Sequence, residues 1–155
     1  MILTCAIVST IAASALSGCT TVTTTDPVTG KVTTSKVLDK AAIESAVVFG
    51  RSLYDAWQGK NSGDKNKEAT TAENLSNDTA AFEAIVKSMP SDDPIRLQLE
   101  KLYKDFKAAT ADGKIDKKDV LMFIDDLQPI VDGMKDSTTK TRLQELLAEI
   151  RKQIA

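Results

Sequence analysis

The chain has 155 residues, 42% of them apolar and 27% charged, with a net charge of −2. That suits one water-facing domain with a single modest core, and it argues against the concentrated basic surface that nucleic acid requires. Histidine is absent and cysteine occurs only at Cys5 and Cys19, so the commonest general base and metal ligand are missing and thiol chemistry has little to draw on. No enzymatic activity is expected. Aromatic residues make up only 5%, so the core must rest mainly on Leu, Ile, Val and Ala.

Residues 1–18 carry no charge, and the first charged residue is Asp26. Ile2, Leu3, Ala6, Ile7, Val8, Ile11, Ala12, Ala13, Ala15 and Leu16 form an apolar run. Ser17 and Gly18 then supply the small residues that a signal peptidase accepts. The run closes on Leu16-Ser17-Gly18-Cys19, which resembles the lipobox of bacterial lipoproteins. The resemblance implies cleavage before Cys19, diacylglycerol on its sulfur and a third acyl chain on the freed amine. Cys5 would leave with the leader, and Cys19 would become a thioether. Each buried methylene adds roughly 0.8 kcal/mol; one chain anchors only marginally, whereas two or three hold durably. Thr20, not aspartate, follows the cysteine, which within this family points to the outer membrane, on its periplasmic side. The family's basic n-region is missing from Met1-Ile2-Leu3-Thr4. An uncleaved membrane-spanning helix and a buried apolar helix are the other readings. About 20 apolar residues are needed to span a bilayer, and Ser9, Thr10, Ser14 and Gly18 leave this stretch short.

Thr20 to Ser35 is rich in threonine, whose branched Cβ favours extended backbone, with turn signals at Asp26-Pro27 and Thr29-Gly30. Two forms are open: a hairpin pairing Val22 to Thr25 with Lys31 to Thr34, or an extended spacer. An isolated two-stranded hairpin is marginal in water and the apolar alternation is poor, which favours the spacer. The expected organisation is a signal peptide over 1–18, a lipidated Cys19 and threonine-rich tether over 19–36, and an α-helical domain over 37–155.

Beyond Lys36 the apolar period becomes helical. The first helix covers Leu38 to Trp57, with Ile43, Val47, Tyr54 and Trp57 in its stripe and Val48, Phe49 and Leu53 widening it. Gly59, Asn61, Ser62 and Gly63 should end it, and 59–67 reads as the longest loop. A second helix from about Thr71 to Ser88 presents Phe82, Ile85, Val86 and Met89, and Pro90 stops it. Asp93-Pro94 reads as an N-cap followed by proline at the first helical position. The third helix carries a short heptad seam of Ile95, Leu99, Leu102, Phe106 and Ala109. Asp116, with Asp119 three residues on, should cap a fourth helix whose face is Val120, Phe123, Ile124, Leu127, Val131 and Met134. Pro129 should kink or divide it. Ser137 or Thr138 opens a fifth helix through Leu143, Leu146, Leu147, Ile150 and Ile154. Glu83–Lys87 and Glu100–Lys104 have the favoured i,i+4 polarity. The fold class is therefore all-α, a compact bundle of about five amphipathic helices.

Few constellations carry chemistry. The turn 108–119 resembles half of a degenerate EF-hand calcium loop. Asp112, Asp116 and Asp119 would be its ligands, but Ala108 and Thr110 stand where two more oxygens are needed. The simpler reading makes Gly113 a turn residue and Asp116 a helix cap. Asp125, Asp126, Asp132 and Asp136 read as a solvated acidic face. Asn74-Leu75-Ser76 and Asn77-Asp78-Thr79 match the glycosylation sequon, which is idle in an ordinary bacterial envelope. Phe49, Tyr54 and Trp57 read as core, with a partner-binding aromatic patch as the other option.

The expected function is a lipid-anchored periplasmic module, chromosomal or phage-encoded, with a structural or protein-interaction role. Its partners would be the membrane, through the lipid on Cys19, and an envelope protein; no nucleic acid or other cofactor is expected. The alternatives are an ion- or ligand-binding helical module, using the 108–119 turn or a pocket between helices, and an uncleaved membrane-anchored virion or lysis component.

Overall fold

The computed structural model describes residues 23–25, 32–34 and 37–155. The expected leader, and the run Leu16 to Cys19 that resembles a lipobox, lie outside the described residues. Of the two forms open to the threonine-rich segment, the structure has the hairpin. β1 (Thr23–Thr25) pairs antiparallel with β2 (Val32–Thr34), with Thr23 opposite Thr34 and Thr25 opposite Val32. The expectation of a wholly extended spacer is corrected to that extent.

The remainder is all-α, five packed helices in a unit spanning Asp39–Ala155. They are α1 (Val37–Asn61), α2 (Lys65–Ser88), α3 (Pro94–Ala109), α4 (Lys117–Asp132) and α5 (Ser137–Ile154). α1 lies at the centre. Phe49 stacks on Phe82 of α2 at 5.6 Å between ring centroids. It also meets Phe106 of α3 and Phe123 of α4 edge-on, at 5.6 and 5.1 Å. Edge-to-face pairs set the positive ring edge against a negative face and add to the burial term. A helix enclosed by neighbours needs a wide apolar stripe, and Ala42, Ile43, Ala46, Val47, Phe49, Leu53 and Tyr54 are all buried. Val48 departs from the expected stripe and is 51% exposed.

Gly59 does not end α1. The helix runs through it to Asn61, because α2 crosses close there. A Cβ on Gly59 would strike Thr71 Oγ1 and come within 3.2 Å of the Lys67 carbonyl oxygen. Thr71 Oγ1 is itself tied to that carbonyl at 2.8 Å. In an open helix Gly→Ala stabilises by about 1 kcal/mol; here the sign should reverse. Gly59→Ala is expected to cost about 1–3 kcal/mol through overpacking, and Thr71→Ala in the same chain should recover most of it. Urea unfolding of the three variants checks this, and a stabilising Gly59→Ala would refute the close crossing.

The expected long loop 59–67 is only the turn Ser62 to Asp64. Asp64 caps α2, its carboxylate accepting from the Asn66 and Lys67 amides at 2.9 and 3.3 Å. α2 therefore starts six residues before the expected Thr71. Its first half has no buried residue before Phe82. It is held by Gly59 against Thr71 and by a hydrogen bond from the buried Ser52 hydroxyl to the Asp78 carboxylate.

Asp93 caps α3 as expected, accepting from the Ile95 and Arg96 amides, with Pro94 at the first turn. Leu99, Leu102 and Phe106 are buried, whereas Ile95 is only half-buried and Ala109 is exposed. The heptad seam is thus shorter than its sequence spacing. Arg96 ties the connection together, donating to the Met89 carbonyl at 2.6 Å and to Glu100 at 2.7 Å. Glu100 turns back to this cation and not forward to Lys104.

Asp116 and Asp119 form the expected capping box of α4. Pro129 does not divide the helix, which continues to Asp132. Proline removes a backbone donor from this turn. Arg151 of α5 braces it, donating to Asp125 at 2.8 Å and Gln128 at 2.8 Å, with a longer 3.5 Å bond to the Ile124 carbonyl. Ile130 joins the core and Met134 lies half-buried past the helix end. α5 opens at Ser137 as expected, with Asp136 as its cap through the Thr139 amide at 3.0 Å. Leu143, Leu147, Ile150 and Ile154 are buried, but Leu146 is 38% exposed.

Candidate functional site

The expected lipidation site, Cys19 with Leu16, Ser17 and Gly18, lies outside the described residues; the other candidates belong to the helical unit. In the 108–119 turn, Gly113 has φ +75°, the left-handed backbone that glycine adopts without strain. Asp112 accepts from the Lys114 amide at 3.0 Å, and Asp116 from the Lys118 and Asp119 amides at 2.8 and 3.1 Å. Asp119 accepts from the Asp116 amide at 3.0 Å. All three carboxylates thus serve the backbone as turn and cap. Among the described residues, no group of three or more acidic, cysteine or histidine side chains converges as a metal site.

The acidic residues downstream are dispersed among partners. Asp125 pairs with Arg151 at 2.8 Å. Asp132 accepts from Gln144 and Gln128 at 2.6 and 2.8 Å, and these bonds hold its carboxyl below the ordinary range. Asp136 is held low by the Thr139 amide and then by Lys40. Asp126 is exposed. Of the aromatic cluster, Phe49 and Tyr54 are core, while Trp57 is half-buried with its ring 6.0 Å from Tyr54. Asn74 and Asn77 sit on the exposed first half of α2.

Two surface features were not placed by the sequence, which offered a pocket between helices without saying where. The first is a groove of about 350 Å³ between α2 and α3, floored by Phe82 and Val86. On its wall the Tyr103 hydroxyl donates to Glu83 at 2.6 Å. Lys87 lies 3.6 Å from Glu83, and the Lys107 ammonium stands 5.3 Å from the Tyr103 ring centroid. The bond from Tyr103 holds the Glu83 carboxyl below its ordinary value of 4.5, assisted by Lys87 and Lys107 and opposed by burial. Burial, and then Glu83, push the Tyr103 phenol up. An apolar floor with charges of both signs at the rim can take an amphiphilic side chain or small molecule.

A depressed carboxyl contributes stability above its unfolded value and loses it as pH falls through the folded one. Wild type should therefore lose more stability than Glu83→Gln as pH drops from 7 to below 4.5. Urea unfolding at the two ends of that interval reads the difference; equal losses would mean that Tyr103 and Glu83 are not coupled.

The second feature is the seam between α1 and α5, which run parallel. Three ion pairs cross it in register: Lys40–Asp136 at 3.0 Å, Glu44–Arg142 at 2.8 Å and Arg51–Glu149 at 4.0 Å. Each is surface-exposed and adds at most about 1 kcal/mol.

Comparison with protein-family models, with curated proteins and with solved structures finds no match for this chain.

Proposed function

We propose that the chain is a bacterial-type lipoprotein whose helical unit is held at the periplasmic face of the outer membrane by acyl chains on Cys19. The observation that carries this is Leu16-Ser17-Gly18-Cys19 at the close of an uncharged apolar run. Small residues before the cysteine fit a peptidase cleft, and the Cys19 thiol, unlike that of Cys5, directly follows them and can take a thioether-linked glyceride. The helical unit has its own apolar core, which suits a module that faces water. None of the helices among the described residues is long and apolar enough to cross a membrane, in keeping with attachment through the N-terminal segment.

The role that fits is tethered interaction. Confinement to a surface raises the effective concentration of the module near other envelope proteins without any new contact. Residues 19–36 limit its reach, and a hairpin within them shortens it relative to extended chain at about 3.4 Å per residue. No catalytic step is assigned. Membrane fractionation of Cys19→Ser tests the reading. The uncleaved anchor of a virion or lysis component is the rival, and it differs by an N-terminus that still begins with Met1.

A further inference from the structure

α1, α3, α4 and α5 are each held along their length by fully buried side chains. The first part of α2, residues 65–81, is not: it buries none. Leu75 is its one large apolar residue, and it is only half-buried. None of the ion pairs among the described residues falls on this segment. Thr70, Thr71, Asn74, Ser76, Asn77 and Thr79 give it modest helix propensity. Thr71 and Thr79 turn their hydroxyls back onto their own helix, donating to the Lys67 and Leu75 carbonyls at 2.8 and 2.6 Å. Such bonds loosen a helix and fasten it to nothing. Alanine-rich helices of about 12–15 residues are already marginal alone in water, and this polar segment is scarcely longer.

What holds it is one narrow face of α1. Ser52, Ala56 and Gly59 lie along that face, and Asp78, Leu75 and Thr71 run the other way along α2 with matching spacing. The two ends of the match are in contact: the Ser52 hydroxyl donates to the Asp78 carboxylate, and Thr71 lies against Gly59. Ala56 and Leu75 fall at the level between. Little apolar surface leaves water when these six residues close together, so little is lost when they part. At Phe82 the character of the helix changes. Phe82 is 1% exposed and stacks on Phe49, and Val86 and Met89 are buried beyond it. At the other end the chain turns at Gly63, whose φ of +72° and exposure leave it without packing neighbours.

We propose that residues 65–81 are a strap that opens from α1 and recloses as a unit of its own, while α1 and residues 82–155 stay folded. Cooperative units smaller than the whole domain open at a fraction of its stability where buried apolar contacts are few. The hinges are the turn at Gly63 and the step from Ala81 to Phe82. The Ser52–Asp78 hydrogen bond is the latch. Opening uncovers the Ser52, Ala56 and Gly59 face of α1, and the Phe82 ring stays in place on Phe49. The device belongs to the helical unit and does not depend on the lipid anchor.

Amide hydrogen exchange on the full-length chain in mild detergent, read by mass spectrometry of peptic fragments, tests this. Amides of 66–81 should be protected, yet exchange about a hundredfold or more faster than the slowest amides of α4. The decisive arm weakens the core away from α2. Leu147→Ala, on α5, lowers global stability and should speed exchange in α4 about thirtyfold or more. The strap should stay within about twofold of wild type, because its opening leaves α5 folded. Ile150→Val perturbs the same core more gently and should give the same pattern, a few-fold change in α4 and none in 66–81, should the alanine variant fail to fold. Ser52→Ala removes the latch and should speed exchange of 66–81 about tenfold. Exchange of 66–81 at the rate of α4, or acceleration of both by the same factor in the α5 variants, would mean that α2 opens only with the whole domain and overturns the proposal. A segment with no protection at all overturns it too, since nothing would then close, and an unchanged rate in Ser52→Ala overturns the latch.

Discussion

Phe49→Ala is expected to remove about 3–5 kcal/mol of stability, a large share of the roughly 5–15 kcal/mol that holds a domain of this size together. Phe49 is 1% exposed and is the ring on which α2, α3 and α4 converge. The substitution removes the transfer free energy of a phenyl group and several ring contacts together. The cavity left behind borders Phe82, Phe106 and Phe123, which belong to three separate helices and cannot all move in to fill it. A fall of roughly 10–20 °C in Tm follows. In urea the midpoint should drop while the slope stays the same, as for a change in stability without a change in the surface exposed. Phe49→Leu, which keeps much of the volume, should cost less. A loss below about 1 kcal/mol for the alanine variant would mean that α1 is not the central helix.

Cys19→Ser has the largest expected effect on location. Two or three acyl chains at roughly 0.8 kcal/mol per methylene make detachment negligible, and the hydroxyl variant has none. In any leader still attached, Ser9, Thr10 and Ser14 interrupt the apolar run. The protein should move from the membrane pellet to the soluble fraction, with the helical unit unchanged in melting temperature, because no residue of its core is touched. Retention in the pellet would count against the lipid anchor.

The helix caps were legible in the sequence because their physics is local. Asp93-Pro94 and Asp116 with Asp119 act within four residues. The cores of α3, α4 and α5 followed from apolar period. The first half of α2 was not legible, since it buries nothing before Phe82 and so leaves no period to read; only the Asp64 cap marks its start. Gly59 has the composition of a helix end, and its true role depends on Thr71, which only the fold brings near. Val48, Leu146 and Ala109 fit the helical spacing yet lie outside the core, because spacing fixes a face and not how widely the neighbours cover it. The groove joins Glu83 to Tyr103, and the seam joins α1 to α5 across most of the chain. No local pattern connects such positions. The lipobox resemblance, by contrast, rests on four adjacent residues, Leu16 to Cys19, a purely local pattern that lies outside the described residues.

Intact-mass analysis of the protein extracted from membranes bears most directly on the anchor. The account predicts a chain that begins at Cys19, heavier than its sequence mass by a diacylglyceryl group and one further acyl chain. A chain recovered with Met1 in place and no added lipid mass would contradict it.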